Sequence, residues 1–456
     1  MLSLSIIYMG EEMQEFEDKI LGYEINTEFK IALDAVINKG ENVLIGGSAG
    51  VGKSVFVDII TSLLQGKNIV KIAPTGIAAL NIGGETIHKF FGFGLGGIHL
   101  GRFSGNLYNQ NFLDIVKNLD ILIIDEISLC RSDVFENINY MLQNSKDQNK
   151  PFGGVQIILT GDAQQLSPIV KDEEDKFFLE EGFGGEYFFE TFSYKEGNFK
   201  CIEFVKNYRQ KDQEFRDNLN LLGRGKITSD LLAYFNKRVM PELEYAKIAG
   251  DKYVHIVTTN KKKDQINNSY YEAIKEKEFE SMAVITGLFK KENSNMDFCL
   301  KLKKGCIVMA LKNSFTYKNG SIGKVVDFQE VETDKGLETV VVVDFEGLGL
   351  QNVSLYEEKM IEYSYDRKDK KIKENEIGKI VQYPLTLAFA RSCHKSQGMT
   401  FDKVYLDIGT FAFANSLAYV GLSRCRSYEM LGLARPIKGY FCKVDEKVKK
   451  FIEKSF

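Results

Sequence analysis

The sequence predicts an α/β protein with two parallel-sheet domains and a small antiparallel β-barrel inserted into the second. Two observations predict the parallel sheets: short, nearly continuous apolar runs end in Gly, Asp or Asn, and each run is followed by a segment with helical periodicity. Strands covered by helices on both faces have this composition. A third observation, a stretch of strand-like runs without helix-length gaps, predicts the barrel. A chain of 456 residues has room for about three domains.

The first domain is predicted over residues 1–190. Its strands are the apolar runs Asn42–Gly46, Asn68–Ala73, Asp120–Asp125 and Val155–Gly161. An insertion from Gly92 to Gly105 interrupts this pattern, and it is too rich in glycine for a core and too aromatic for a spacer. Ordered insertions of this kind are usually functional loops.

The second domain is predicted in two parts, over residues 191–296 and 384–456. Its strands are the apolar runs Tyr253–Thr258, Leu385–Ala390, Val404–Ile408 and Met430–Ala434. Because these runs also alternate with helical segments, they predict a second parallel sheet.

The barrel is predicted over residues 297–383, between the two parts of the second domain. Its strand-like runs are Ile307–Leu311, Ile322–Val326 and Thr339–Asp344. Turn signals such as Asn319-Gly320 separate them, as in antiparallel hairpins. The mixed-charge run Asp366–Glu374 is interpreted as a solvated hairpin tip.

Composition excludes several classes of protein. With 44% hydrophobic and 27% charged residues, the chain is neither disordered nor collagen-like. Seven scattered cysteines and four histidines, none at ligand spacing, argue against a disulfide framework and against zinc. No apolar run approaches ~18 residues and no signal-peptide features occur, so we expect no membrane segment and a cytoplasmic location in a bacterial or viral-host cytosol. The net charge of −4 gives no bulk attraction to nucleic acid, which must use local patches.

A complete G-x-x-x-x-G-K-S pattern spans Gly47–Ser54, directly after a predicted strand and directly before a helical period. Glycines let consecutive backbone N–H groups curl around phosphate oxygens, and the following helix presents its positive N-terminus to the same anion. Lys53 then reaches the β- and γ-phosphates of a nucleotide, and Ser54 ligates Mg²⁺. The predicted nucleotide-binding residues are Gly47, Ala49, Gly50, Val51, Gly52, Lys53 and Ser54.

Two further strand ends carry groups suited to phosphoryl transfer. Asp125 and Glu126 end an apolar strand, where Asp125 is expected to hold Mg²⁺ and Glu126 to polarise the attacking water. Gln165 follows another strand, and a neutral amide there can hydrogen-bond a γ-phosphate or its water without adding charge. Considered alone, this segment also fits a polar turn closed by Pro168. All these groups belong at the carboxyl edge of the sheet, where α/β proteins bind ligands.

With these motifs in order, the chain resembles the PIF (petite integration frequency) and RecD-like branch of superfamily 1 helicases over about residues 22–436. Segments similar to the family motifs Ia, Ib, IV, V and VI are Ala73–Leu80, Gly84–Gly92, Asn207–Phe215, Ala390–Asp402 and Tyr419–Arg426. The resemblance implies two RecA-like domains, a wedge (1B) at about residues 92–115, and an SH3-like domain (2B) where the barrel is predicted. The chain departs from the family near Phe29, where the adenine-reading glutamine is absent.

The resemblance also implies the residues that complete the catalytic site. Arg209 and Arg424, both on the second RecA-like domain, would reach across the cleft to the γ-phosphate of ATP bound to the first. Hydrolysis would then depend on closure of the two domains. Considered alone, Arg209 lies in a charged stretch and also fits a surface ion pair.

Nucleic-acid contacts are implied in loops and at strand ends of both domains, where small polar groups bind consecutive phosphates without reading sequence. The residues are Thr75, Thr86, His88, Phe90, Thr259, Asn260, His394, Lys395 and Ser396. Phe90 would stack on unpaired bases, with core packing as the alternative. A buried structural role is the alternative for His88.

The predicted function is an ATP- and Mg²⁺-dependent DNA helicase, a monomer that moves 5′ to 3′ on single-stranded DNA and acts at duplex junctions. The family resemblance further implies roles in DNA repair, recombination and telomere maintenance. Two alternatives stay open. One is a nucleotide-gated ATPase that binds single-stranded nucleic acid without unwinding, and the other is an RNA-directed remodeller, for which contacts to the 2′-hydroxyl would decide.

Overall fold

The computed structural model describes residues 25–48, 50–94, 106–165, 167–168, 170, 172–208, 212–333, 336–393, 396, 399–409 and 416–456. The predicted site residues outside these ranges are Ala49, Arg209, His394 and Lys395. Much of the predicted wedge also lies outside them, at residues 95–105. Among the described helices, none combines the length and the apolar composition that crossing a membrane requires.

Helices alternate with strands in the first part of the chain, and strands dominate its middle. The strands are β1 (Val43–Gly46), β2 (Ile69–Ala73), β3 (Glu85–Thr86), β4 (Ile121–Ile124), β5 (Gln156–Thr160), β6 (Lys200–Glu203), β7 (Val254–Val257), β8 (Glu278–Met282), β9 (Val284–Gly287), β10 (Cys299–Lys303), β11 (Ile307–Ala310), β12 (Ile322–Thr333), β13 (Gly336–Phe345), β14 (Gly349–Val353), β15 (Tyr356–Asp366), β16 (Lys371–Gln382), β17 (Leu385–Leu387), β18 (Ala390–Ser392), β19 (Val404–Asp407) and β20 (Leu431–Leu433). The α-helices are α1 (Thr27–Leu33), α2 (Lys53–Leu63), α3 (Gly76–Asn81), α4 (Ile87–Phe91), α5 (Gln110–Asn118), α6 (Ser132–Ser145), α7 (Glu173–Phe183), α8 (Phe192–Glu196), α9 (Gln213–Gly223), α10 (Ser229–Asn236), α11 (Glu242–Ala249), α12 (Asn260–Ala273), α13 (Leu417–Leu422) and α14 (Glu446–Ser455). A π-helical turn (Asp34–Asn38) extends α1, and short 3₁₀ turns occur at Ile127–Leu129, Pro151–Gly154, Phe188–Glu190, Lys291–Asn293 and Gly439–Cys442.

Six parallel strands form the first sheet, in the order β3-β2-β4-β5-β1-β6. Both faces are covered, and successive residues of β4 show it: Leu122 enters one apolar cluster and Ile123 the other, as the two-residue period of a strand requires. The predicted α/β class is confirmed for this domain. Because β1, β5 and β4 are neighbours, the loops at their carboxyl ends lie side by side.

β6 extends the first domain beyond its predicted boundary. It pairs parallel with β1 from Lys200 to Glu203, so the boundary at residue 190 falls too early. The strand gives no apolar run because both its ends are charged. α14 also packs on the first domain, since the Phe451 ring stacks on Phe189 with 4.1 Å between centroids. It had been predicted with the second domain.

The second sheet contains four parallel strands, in the order β18-β7-β19-β20. The prediction of a second parallel sheet is therefore confirmed, but the predicted strand Leu385–Ala390 is two elements. Leu385–Leu387 pairs antiparallel with β11 of the insert, and the chain enters the second sheet only at Ala390.

The insert begins at Glu278 rather than at residue 297, because β8 and β9 pair with β10 and β16. It consists of three antiparallel sheets, β10-β8, β14-β13-β12-β11-β17 and β15-β16-β9. Leu300 of β10 shares an apolar cluster with Val308 and Val341 of the five-stranded sheet, so these two sheets have one core. The antiparallel character was predicted correctly, while closure into an SH3-like barrel stays a prediction.

The long β15–β16 hairpin rests on the first domain, while most side chains of its tip, Asp366–Glu374, are exposed, so the interpretation of that tip as solvated is confirmed. Tyr363 of β15 is buried against the first domain: its backbone N–H donates to Glu85 Oε1 at 2.7 Å, and its hydroxyl accepts from the backbone N–H of Lys71 at 3.2 Å. Beyond it, Arg367 pairs with Asp114 at 2.5 Å. The insert thus contacts the first domain beside β3.

Candidate catalytic site at the domain interface

The segment between β1 and α2 forms the predicted phosphate loop. Gly47, Gly50 and Gly52 have φ angles of 136°, 88° and 95°, a region that residues with a Cβ rarely adopt. At Gly47 a Cβ would also lie 2.4 Å from the carbonyl oxygen of Phe204. Glycine is required there by both conformation and space. α2 begins at Lys53, so the positive end of its dipole faces the loop.

Lys53 folds back over this loop. Its Nζ donates to the carbonyl oxygens of Gly47 at 2.6 Å and Ser48 at 3.1 Å. Ser54, in the first turn of α2, is exposed, whereas the Val51 side chain is buried in the cluster beneath the loop. A cation and an accessible hydroxyl therefore converge on a backbone cradle, as a phosphate with a bound metal requires.

Asp125 lies buried at the end of β4 and accepts a hydrogen bond at Oδ1 from the Thr160 hydroxyl of neighbouring β5. This bond orients the carboxylate at the sheet edge. Ser54 and Asp125 offer a hydroxyl and a carboxylate oxygen, which are ligands that Mg²⁺ prefers.

Glu126 follows with a φ of 50°, a left-handed conformation that side chains disfavour. Such strain persists where the surroundings impose it. Burial raises the pKa of the Glu126 carboxyl to about 7, the negative charge of Asp125 adds to the rise, and Lys53 opposes it. A carboxyl with this pKa can accept a proton near neutral pH, as a general base must.

Beyond β5, three residues form one hydrogen-bonded group. Asp162 is 2% exposed and accepts from the Gln164 backbone N–H at Oδ1 (3.0 Å) and from Gln165 Nε2 at Oδ2 (2.8 Å). The Oε1 atoms of both glutamines are buried, and among the described residues neither has a hydrogen-bond partner. The orientation of the Gln165 amide is therefore set by a carboxylate that was not predicted as a site residue, while the catalytic role of Gln165 stays a prediction.

Arg424 reaches this interface from the second domain but is held by that domain. Its side chain is completely buried, and it donates to the carbonyls of Val420 (2.8 Å), Ser396 (3.1 Å) and Met399 (3.2 Å) and to the Ser423 hydroxyl (2.7 Å). Burial lowers the pKa of Arg424, and the nearby groups that oppose this effect include Tyr419, Asp162 and Glu126. Arg424 follows Tyr419, whose hydroxyl contacts Asp162 of the first domain at 3.3 Å, so this segment lies at the interface.

Two contacts across the interface were missed by sequence reasoning. The Tyr419 hydroxyl donates to Asp162 Oδ2 at 3.3 Å, and Arg224 Nη2 lies 2.9 Å from both carboxylate oxygens of Glu203. Asp162 could have been found from the sequence, because it lies just after the buried strand β5, next to the other candidate residues. Glu203 and Arg224 had none, since the pair joins two distant segments of ordinary polar sequence.

The predicted nucleic-acid threonines all begin helices. Thr75, Thr86 and Thr259 accept, through their side-chain oxygens, the backbone N–H groups of Ala78, Lys89 and Lys262, at 3.2, 3.3 and 3.3 Å. Thr75, Thr259 and its neighbour Asn260 are exposed. Caps of this kind place free backbone donors of the first helical turn on the surface, where a phosphate can reach them.

Three other residues predicted to contact nucleic acid are wholly or partly buried. Phe90 is 5% exposed and packs edge-on against Phe91 and Phe112 at 5.0 and 5.6 Å, so its role is core packing and the base-stacking prediction was wrong. Ser396 is buried, and its hydroxyl donates to the Cys393 carbonyl at 2.8 Å rather than facing a ligand. His88 is partly buried, which lowers its pKa and favours the neutral imidazole.

A cavity of about 660 Å³ separates the first domain from the insert beside these threonines. Its polar lining includes Thr86 and Lys89, and its apolar lining includes Leu288, Met360 and Ile361 of the insert. Lys89 Nζ also donates to the Ile361 carbonyl at 2.9 Å, so the insert closes one side of this space.

A protein-family model and a relative of known function are similar to this chain. A family model described as PIF1-like helicase matches residues 21–231. The human ATP-dependent DNA helicase PIF1 is 31% identical over 417 residues, which cover 90% of this chain and 60% of the human protein. The chain thus spans about 60% of the length of that relative.

Solved structures agree over nearly the whole chain. Pif1 from Bacteroides sp in complex with ADP-AlF4 is 30% identical, with a TM-score of 0.86 over 94% of this chain and 97% of that one. For Bacteroides Pif1 bound to ssDNA, identity is also 30% and coverage 94% and 97%, but the TM-score is 0.64. At equal identity and coverage, the ssDNA-bound structure therefore matches this chain less well than the complex with ADP-AlF4.

Proposed function

Because this chain belongs to the PIF1-like helicase family, we propose that it is an ATP-dependent DNA helicase. The phosphate loop and the Asp125–Glu126 pair lie at one edge of the first domain, and there the Tyr419 hydroxyl of the second domain, five residues before Arg424, contacts Asp162. This contact between the domains carries the proposal. A site shared in this way is complete only when the two domains are together. Hydrolysis is then linked to their relative movement, which is the source of translocation.

ATP fits the first domain because the groups around the loop complement a triphosphate. Lys53 would exchange the Gly47 and Ser48 carbonyls for phosphate oxygens, keeping its ammonium where it now lies. Ser54 and Asp125 would hold Mg²⁺, which neutralises charge on the phosphates during transfer.

The remaining groups act on the attacking water and the transferred phosphoryl group. Glu126, with its pKa near neutrality, takes the proton of the water. Gln165 orients that water through its amide. Arg424 stabilises the charge that spreads over the phosphoryl group, and to reach it must give up some of its present partners in the second domain. This exchange ties the arginine's catalytic position to a change in its own domain.

Single-stranded DNA is the proposed track, along the exposed helix starts at Thr75, Thr259 and Asn260. Backbone and hydroxyl donors there suit phosphates and carry no base preference. The Bacteroides relative that was solved bound to ssDNA, 30% identical to this chain, supports this choice of track. Movement 5′ to 3′, single-copy action and a cytoplasmic location stay predictions.

The test measures ATP turnover with and without single-stranded DNA, and then strand displacement from duplexes that carry either a 5′ or a 3′ tail. We expect stimulation by DNA and displacement only with the 5′ tail. Lys53→Ala serves as the negative control. Stimulation without displacement would replace the proposal by the ATPase switch, and a preference for RNA tails would replace it by the remodeller.

A further inference from the structure

Asp162 is the point at which the two domains meet next to the catalytic groups. It lies 2% exposed, and its carboxylate accepts three hydrogen bonds from neutral donors: the Gln164 backbone, the Gln165 amide and the Tyr419 hydroxyl. Two of these donors belong to the first domain and the third to α13 of the second. Asp162 therefore connects the proposed water-orienting residue to the other domain.

The carboxylate decides which way the Gln165 amide faces. A carboxylate only accepts hydrogen bonds, so Nε2 of Gln165 must point towards Asp162 Oδ2, which lies 2.8 Å away. Oε1 then points away, and it is buried with no hydrogen-bond partner within the part of the chain that the structure describes. A buried amide oxygen left unpaired is costly, which indicates that a ligand supplies its donor. A water molecule at the transferred phosphate has the O–H donor that this oxygen requires.

We propose that Asp162 is a positioning residue that holds the Gln165 amide oxygen towards the attacking water, and that Tyr419 holds Asp162 in that position when the domains are together. The proposal deepens the function proposed above and depends on it. It assigns regulation of hydrolysis to one hydrogen bond that crosses the interface.

Tyr419 is suited to this task by its position in α13. It precedes Arg424, whose Nε donates to Val420, the residue after Tyr419. The tyrosine is 2% exposed, so its hydroxyl has no alternative in bulk water. Any displacement of α13 that moves the arginine also moves the hydroxyl from Asp162. The same motion therefore positions both Arg424 and the Gln165 amide.

Asp162→Asn tests the orientation of the amide. Asparagine has the same shape, but its Nδ2 donates to Gln165 Oε1 and thus turns the amide over. With saturating single-stranded DNA, we expect kcat to fall about 10- to 150-fold, the range for one hydrogen bond to a charged group, with the KM for ATP within about twofold. A kcat within about twofold of the wild type, or an equal change in KM, would overturn the proposal.

Tyr419→Phe tests the link between the domains and removes only a hydroxyl. We expect kcat to fall roughly tenfold, and the double variant with Asp162→Asn to be no slower than Asp162→Asn alone, since coupled residues are not additive. Fully additive losses would overturn the link. Tyr428→Phe is the matched control, because its hydroxyl bonds the Tyr234 carbonyl at 2.6 Å within the second domain. Its kcat should equal that of the wild type.

The outcome for the wild type separates the two proposals. A wild-type protein that does not hydrolyse ATP refutes the proposed function. A wild-type protein that does, with Asp162→Asn equally active and equally resistant to heat, refutes the positioning role alone. A loss of kcat that parallels a loss of thermal stability also refutes it, because the role would then be structural.

Discussion

Replacing Arg424 by alanine should impair both turnover and stability. Its guanidinium donates four hydrogen bonds to groups of its own domain, and the side chain is completely buried. Alanine leaves those acceptors without a donor, at about 1 kcal/mol or more each, while relief of the cost of burying a charge offsets part of the loss. We expect a net destabilisation of about 2–4 kcal/mol.

A destabilisation of this size lowers Tm by about 5–15 °C, because each kcal/mol shifts a domain of about 150–250 residues by roughly 2–4 °C. Independently, kcat should fall by about 10³–10⁵ if the arginine completes the site. Turnover is measured well below the lowered Tm, and ATP binding is measured on the same sample. ATP should still bind, since the phosphate loop is untouched.

Two variants make the result interpretable. Arg424→Lys keeps the charge but loses the planar fork, so kcat should fall while Tm drops less than for alanine. Arg426→Ala removes a surface arginine that pairs with Asp402 at 2.6 Å, and it should change neither quantity measurably. An Arg424→Ala protein with wild-type kcat would show that the arginine is structural only, and an unchanged Tm would refute the account of its hydrogen bonds.

Three further predictions concern the phosphate loop, the β15–β16 hairpin and the half-buried carboxylate of Glu242. Lys53→Ala should abolish ATP turnover with an unchanged Tm, because the hydrogen bonds of its ammonium within the described residues go to the loop carbonyls of Gly47 and Ser48. Turnover at the wild-type rate would end the assignment of the phosphate loop. Tyr363→Phe removes the hydroxyl that accepts a hydrogen bond from the backbone of Lys71, which should weaken the docking of the β15–β16 hairpin by about 1 kcal/mol. The hairpin should then open more often, and its amides should exchange hydrogen several-fold faster than in the wild type. Equal exchange rates in both proteins would contradict the docking. The His255 imidazole, whose Nε2 lies 3.0 Å from Glu242 Oε1, lowers the pKa of Glu242 to about 2, with burial opposing and Tyr270 adding to the effect. A lowered carboxyl pKa stabilises the fold above the unfolded value of 4.5 and loses that effect as pH falls towards about 2. The wild type should therefore have a larger unfolding free energy than Glu242→Gln, by an amount that is constant at pH 6–7 and shrinks below pH 5. A difference that does not depend on pH would refute this.

The parts of the fold that were predictable are those encoded by contiguous residues. Apolar runs such as Ile121–Ile124 gave the central strands because burial on both faces demands that composition. The loop at Gly47–Lys53 was recognisable because its glycines are required by local backbone geometry. β6 was not, because a short strand with charged ends looks like an ordinary surface segment.

Some residues of the candidate site could likewise be predicted from contiguous sequence, and others could not. Asp125 and Glu126 could be found from their position at the end of a strand. The bond from Tyr419 to Asp162 joins residues 257 positions apart, and no local pattern reports such a pairing. Phe90 misled the prediction because an aromatic residue in a loop-rich motif fits both stacking and packing, and only the surrounding rings decide between them.

The return of the chain to its first domain through α14 restricts how the two domains separate. The polypeptide leaves the first domain after β6 and is fixed to it again where Phe451 stacks on Phe189. A body anchored at two places swings about the line that joins them and does not drift sideways. We therefore expect the opening and closing of the two domains to follow one path rather than many.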